Sequence, residues 1–371
     1  MSESMEQARQ FFADGLAHSE AGRLEQAERS FAAALSLAPG RPSLLTNLGA
    51  TLVRRGRWAD ALALLEEATA VEPDNLQAWS YLGTAHAELG QARPALRAFE
   101  RALEIDPRHA GLWNQRGSLL RELGRLDEAA TCFERALALG ADPQLLGYYL
   151  ASVRDGAVPD TAPRGYVESL FDRYAGEFQT HLVQALHYRG HEVLVHGLTP
   201  LALPRFGAVL DLGCGTGLIG SLIKPVADRV DGVDLSLAML EQARASGLYS
   251  ELDHADIVEH LQSTDRHYDL VLASDVFVYV GALDAVFAGV ARVLAPGGLF
   301  AFSIERTGDA HDLRLLPSLR YAHSQAYVLR LAQEHGFEVR AAFPAPLRED
   351  QQRPIEGFYV YLQARPLPHI D

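Results

Sequence analysis

Three carboxylates and three glycines are spaced in this sequence as a nucleoside site would need them. Residues 209–217 read Val-Leu-Asp-Leu-Gly-Cys-Gly-Thr-Gly. This is a short buried strand running into a glycine turn, with a helix following over 218–224. Dinucleotide sites use Gly-x-Gly-x-x-Gly to bring a pyrophosphate onto a helix N-terminus. Here the spacing is Gly-x-Gly-x-Gly with an acid ahead of it. Gly213, Gly215 and Gly217 let a ligand lie against backbone where a Cβ would clash. Cys214, inside the turn, is at a position where a helix N-terminus can activate a thiol, but a small side chain is all the turn needs. Asp211 suits a ligand's ammonium group. Asp234 ends the next strand, 23 residues on, where a carboxylate can accept from both hydroxyls of a ribose. Leu235 and Met239 would line the base, although Met239 reads equally well as helix core. Asp256 suits an adenine amino group, with the Ile257 backbone alongside. A fourth strand, 268–276, ends at Ser274 and Asp275, and ligands bind at the carboxyl ends of parallel strands.

The elements that must hold these residues follow in order. A helix over 283–294 leads through Pro-Gly-Gly into a strand over 299–305, and two final strands are expected over 336–343 and 357–363. Ahead of the glycine turn, a linker rich in Gly and Pro (155–163) gives way to a segment, 166–189, whose apolar spacing is helical and whose aromatics and histidines are dense. Most of those aromatics read as core.

The first 143 residues are a repeat. Gly15, Gly49, Gly83 and Gly117 are 34 apart, as are Ala27, Ala61, Ala95 and Ala129. Pro39, Pro73 and Pro107 close the first three units and Pro143 the fourth. Phe31, Leu65, Phe99 and Phe133 fill equivalent slots. Each unit reads as two antiparallel helices, with small residues at the close approach and a proline ending the second helix.

The repeat strongly resembles tetratricopeptide repeats. The order of glycine turn, ribose acid, adenine acid and Pro-Gly-Gly closing strand resembles class I methyltransferases. Together they are similar to bacterial methyltransferases fused to such repeats, a group for which 275–281 and 320–324 look typical. The resemblance implies an all-α solenoid followed by an α/β Rossmann-like domain with a seven-stranded, mostly parallel sheet. It implies S-adenosylmethionine as cofactor and S-adenosylhomocysteine as product, held by the residues above. The expected domains are 1–143 (about four repeats), 144–200 (linker and cap helices over the active site) and 201–371 (methyltransferase core). By the same resemblance Tyr174, on the cap, would touch cofactor or substrate.

Methyl transfer from a sulfonium is an in-line displacement, so the protein chiefly aligns the acceptor and excludes water. A base is needed only for an acceptor that arrives protonated. Tyr174, His181, Tyr279, Glu305 and His323 are the candidates. Three functions fit: methylation of a small or carrier-bound acceptor; methylation of a protein or peptide recruited by the repeats; and a non-catalytic scaffold that binds the cofactor, against which the intact acid set weighs. The repeats would serve a protein partner or self-association. A net charge of −15 argues against nucleic acid, and Ser-Asp-Val-Phe stands where amino-methylating nucleic-acid enzymes carry Asp-Pro-Pro-Tyr. No metal cluster, secretory signal or membrane-spanning run is expected, and the two distant cysteines fit a reducing cytoplasm.

Overall fold

The computed structural model describes residues 3–175, 188–201, 205–308, 310–350 and 353–365. The chain divides into two compact units, Met1–Arg154 and Asp155–Asp371.

The first unit is built of helix pairs: α1 (Glu3–Glu20) with α2 (Leu24–Leu37), α3 (Pro42–Arg54) with α4 (Trp58–Val71), α5 (Leu76–Glu88) with α6 (Ala92–Ile105), and α7 (Ala110–Glu122) with α8 (Leu126–Ala138). The period has a packing cause. A Cβ at Gly15, Gly49, Gly83 or Gly117 would lie 2.5, 2.6, 2.6 or 2.7 Å from the side chain of Phe31, Leu65, Phe99 or Phe133, so only glycine admits the large residue of the paired helix. Pro39, Pro73 and Pro107 each fall just past the end of a second helix. Pro143 does something else. The fourth unit ends at Ala138, and Pro143 opens a further helix, α9 (Pro143–Val153), whose N-cap Asp142 accepts from the amides of Gln144 and Leu145. Its Leu146 and Val153 are buried with Phe133 in one cluster, which closes the face that the last repeat would otherwise expose.

The second unit begins with α10 (Arg164–Tyr174) and α11 (Gly190–His196). A seven-stranded sheet follows, in the order β3-β2-β1-β4-β5-β9-β8: β1 (Phe206–Leu212), β2 (Ala227–Asp234), β3 (Glu251–His254), β4 (Tyr268–Ala273), β5 (Leu294–Glu305), β8 (Phe337–Asp350) and β9 (Arg353–Ala364). The first five are parallel, and β9 and β8 run antiparallel to their neighbours. Helices α12 (Leu218–Ile223), α13 (Leu237–Ser246), α14 (Ile257–Ser263), α15 (Asp284–Val293) and α16 (Gln325–Glu334) connect them. Alternation along the strands divides the core between two faces. Val271, Ala273, Phe300 and Phe302 pack with Phe287 and Val328, whereas Leu270, Leu272, Leu299 and Ala301 pack with Leu194 and Ile219.

Two features depart from the sequence reading. β5 starts at Leu294, so the Pro-Gly-Gly segment lies inside the strand; its partner register shifts there and Gly297 takes φ +79°. A hairpin of β6 (Leu313–Leu315) and β7 (Tyr321–His323) was not expected, since strands of three residues carry no readable period. Among the described residues no helix is long and apolar enough to cross a membrane.

Candidate functional site

The loop after β1 is shaped by its glycines and closed by Asp234. Gly213, Gly215 and Gly217 have φ of +64°, +54° and +97°, a region that costs an ordinary residue about 1–2 kcal/mol. Gly213 lies against the loop after β4, where a Cβ would meet Val276 at 2.6 Å. A Cβ at Gly215 would meet nothing within 4 Å. Cys214 is 6% exposed, and its amide donates to the Val233 carbonyl at 3.0 Å. Burial, with Asp211 and Asp234 nearby, pushes its thiol well above the ordinary value, the opposite of an activated nucleophile.

Asp234 ends β2 half-buried. Its Oδ2 accepts from the Gly215 amide at 2.8 Å and its Oδ1 from Ser236 at 2.9 Å. Burial raises its pKa in spite of these bonds. Leu235 is half-buried, and its carbonyl accepts from His254. Met239 is fully buried in α13, in keeping with helix core. Asp256 caps α14, its Oδ1 accepting from the amides of Val258 and Glu259 at 2.8 and 3.3 Å, and Ile257 is buried behind it. These acids therefore stand at the carboxyl ends of β2 and β3, beside the glycine turn that follows β1.

Asp211 is 1% exposed and accepts from the Tyr249 hydroxyl at 2.7 Å. Burial lifts its pKa to about 7; the Tyr249 bond works against the rise and Asp234 adds to it.

A second group of side chains occupies the carboxyl ends of β4 and β5. Asp275, a non-glycine residue at φ +57°, is held in that uncommon conformation by its amide donating to Ser303 Oγ at 3.0 Å and its Oδ1 accepting from Arg348 at 2.7 Å. Arg348, from β8 and 3% exposed, donates its other terminal nitrogen to Glu305 at 2.7 Å. Burial raises the Glu305 pKa against the pull of Arg348 and Arg320. Arg320 is half-buried. Burial works to lower its pKa, but Tyr279, Asp275 and Glu305 outweigh it and hold the guanidinium firmly charged. Ser274 shares a 2.7 Å hydrogen bond with Tyr188, which is 4% exposed.

Of the acid–base candidates, Tyr279 is half-buried with its ring edge-on to Phe171 at 5.4 Å. His323 is fully buried. Its Nε2 donates to the Gly281 carbonyl at 2.8 Å. Burial lowers its pKa to about 4, so it is neutral at physiological pH and committed to backbone. His181 and the side chain of Tyr174 lie outside the described residues. The helix that carries Tyr174 is fastened to α13: Asp172 accepts from Ser236 at 2.6 Å, and the Ala175 carbonyl accepts from Gln242.

Tyr249, Arg348 and Ser303 carry no sequence motif.

Comparison with known proteins agrees with both units. A methyltransferase domain model matches residues 209–298, and tetratricopeptide repeat models match 40–108 and 82–145. Methyltransferase-like protein 27 of Homo sapiens is 32% identical over 196 residues, covering 50% of this chain and 73% of that protein. The malonyl-[acyl-carrier protein] O-methyltransferase of Salmonella typhimurium is 28% identical over 179 residues, 48% of this chain and 69% of that one. The biotin biosynthesis bifunctional protein BioCD of Bordetella avium is 32% identical over 172 residues, 43% of this chain and 35% of that one. The match thus spans about a third of BioCD's length.

Proposed function

This chain belongs to the S-adenosylmethionine-dependent methyltransferase family, and we propose that it methylates a carboxylate oxygen of a small or carrier-bound acceptor. The observation that carries the reading is the charged group at the carboxyl ends of β4 and β5. Arg348 is engaged by two carboxylates, while Arg320 has the Tyr279 hydroxyl beside it and no carboxylate oxygen within 4 Å among the described pairs. A guanidinium so placed suits a carboxylate ligand. Such an acceptor arrives ionised and needs no base, consistent with a His323 that is buried and bonded to backbone. The malonyl-[acyl-carrier protein] O-methyltransferases among the relatives act, by name, on an acceptor of this kind.

On this reading Asp234 takes the ribose, Asp256 and Ile257 the adenine, and Asp211 with Gly213, Gly215 and Gly217 the amino-acid end of the donor. Leu235 lines the base, and Ser274 and Asp275 face the sulfonium. The helix α10, bonded to α13 through Asp172 and Ser236, helps to exclude water, and the transfer is an alignment of carboxylate oxygen, methyl carbon and sulfur. The repeats recruit the protein that bears the acceptor.

The test is incubation with methyl-labelled donor and three acceptor sets: dicarboxylate thioesters on a carrier protein, the free acids, and the same thioesters with the terminal carboxyl amidated. Base-labile label in either of the first two and none in the third supports the reading. Label confined to base-stable protein adducts would replace it with methylation of a recruited polypeptide.

A further inference from the structure

One side chain outside every motif braces the donor site from below. Tyr249 lies between α13 and β3. Its ring fills the space that side chains at three glycines would need: a Cβ at Gly217, Gly220 or Gly232 would meet it at 3.1, 2.8 or 2.9 Å. These glycines belong to the N-cap of α12, the helix itself and β2, so the ring joins the helix that follows the glycine turn to the strand beside β1. The hydroxyl is used in both senses. It accepts from the Gly220 amide at 3.2 Å and donates to Asp211 Oδ2 at 2.7 Å. Burial and the neighbouring Asp211 keep the phenol protonated, so the donor role is fixed.

We propose that Tyr249 is a positioning residue for methyl-donor binding, whose hydroxyl keeps Asp211 in the ionised form and orientation that the donor's ammonium group requires. The inference rests on the methyltransferase reading and adds a residue to it. A buried carboxylate is costly unless hydrogen-bonded, and Asp211 is almost wholly buried. The groups that act on it are the Tyr249 hydroxyl, which favours the charged form, and Asp234, which opposes it. The Cys214 thiol close by stays neutral. Without the hydroxyl, nothing on this list favours the carboxylate. Donor binding then has to ionise the acid itself, and affinity acquires a steeper dependence on pH. The ring and the hydroxyl have separable tasks, the first shaping the turn and the second charging the acid.

The experiment is calorimetric titration with S-adenosylhomocysteine, which keeps the ammonium group, between pH 5.5 and pH 8.5, on the full chain. For the unaltered protein the affinity should rise with pH through about 7, as Asp211 ionises. Tyr249→Phe keeps the ring. It should move that midpoint up by about one pH unit and weaken binding about fivefold at pH 7, with affinity recovering at pH 8.5. In an Asp211→Asn background the same substitution should change nothing further. A Tyr249→Phe profile superimposable on the unaltered one, or a loss that is uniform across pH, overturns the inference. Failure of the unaltered protein to bind S-adenosylhomocysteine at any pH would instead overturn the methyltransferase reading on which it stands.

Discussion

Glycine recurs at fixed spacing in both units of this chain, for opposite reasons. In the repeat unit Gly15, Gly49, Gly83 and Gly117 sit inside helices, and each is needed because an aromatic or leucine side chain comes within 2.7 Å of where a Cβ would be. In the α/β unit, Gly215 has no neighbour at all within 4 Å of that point and is needed for its backbone, at φ +54°. The repeat glycines are filled by the protein, as are Gly213 and Gly217 by Val276 and Tyr249, whereas Gly215 leaves room. The units differ in the same way over charge. Among the described residues the repeat unit buries no charged side chain, whereas the α/β unit buries Asp211, Asp231, Glu305 and Arg348. A scaffold that repeats one packing solution has no use for a buried charge. Three of these, Asp211, Glu305 and Arg348, belong to the two groups of side chains at the carboxyl ends of the strands, and charges buried there have to be compensated.

The largest expected effect tests that contrast in charge. Arg348→Met removes the cation hydrogen-bonded to both Asp275 and Glu305 and leaves them only the field of Arg320, and breaking a buried pair in this way costs about 3–5 kcal/mol. In the repeat unit, Arg55 also bridges two carboxylates, Glu25 and Glu28, but its side chain is 26% exposed. Arg55→Met should cost no more than about 1 kcal/mol. Urea unfolding of the two variants gives the comparison directly, and equal losses would break it.

The pH dependence should come next. His323 has a folded pKa of about 4 against an ordinary 6.5. Between those values the unfolded chain binds a proton that the folded chain refuses, so this group's contribution is full above pH 6.5 and lost as pH falls towards 4. Asp211 runs the other way. Its folded pKa is about 7 against 3.8, so without ligand its contribution is full below pH 3.8 and lost as pH rises through 7. The two offset each other from about pH 4 to 6.5. His323→Gln, which keeps a donor for the Gly281 carbonyl, should unmask Asp211. Relative to the unaltered protein, the slope of stability against pH should fall by about 1.4 kcal/mol per pH unit in that window. Urea midpoints at pH 4.5, 5.5 and 6.5 measure it, and parallel curves would contradict the buried, neutral His323.

Gly83→Ala probes the filled set of glycines. The added methyl would lie 2.6 Å from the Phe99 ring, and overpacking of this kind costs about 1–3 kcal/mol. Trp58, Trp79 and Trp113 are the only tryptophans of the chain and all lie in the repeat unit, so tryptophan fluorescence reports that unit's unfolding. The midpoint should drop while affinity for S-adenosylhomocysteine holds. A loss of affinity without a drop in midpoint would reverse the assignment of roles.

What could be read from the sequence follows the same division. The repeat was legible because one geometric rule is applied four times, and Gly49, Ala61 and Leu65 each have counterparts 34 residues away. The one misreading, Pro143 as a terminator alone, concerned the end of the array, where the rule stops applying. The acids proposed for the donor could be picked out because they are local: Asp211, Asp234 and Asp256 each stand close to the end of a strand, near a glycine or a helix start. The group at the carboxyl ends of β4 and β5, and the brace on Asp211, could not, because their parts come from distant segments. Arg348 reaches Asp275 across 73 residues and Glu305 across 43, and Tyr249 reaches Asp211 across 38. No spacing rule connects such positions, and only the order of strands in the sheet brings them together. His323 was misleading for a related reason. A histidine is a candidate base by its type alone, and burial at 0% exposure is a property of the folded neighbours, not of its own segment.

A small effect on stability is the sharpest test of what the open space at Gly215 is for. Gly215→Ala adds a methyl into space that holds no protein atom within 4 Å, so packing is unaffected and the cost is that of an alanine at φ +54°, about 1 kcal/mol. That is less than Gly83→Ala should cost, although the change is the same. On ligand binding the ranking inverts. The Gly215 amide is bonded to Asp234 Oδ2, the acid assigned to the ribose, and the methyl would occupy the space beside it. Affinity for S-adenosylhomocysteine should fall about tenfold or more, the equivalent of one lost charge-assisted hydrogen bond. If Gly215→Ala left affinity intact, the open space beside the turn would not be the donor's, and the difference between Gly215 and the repeat glycines would be one of backbone conformation alone.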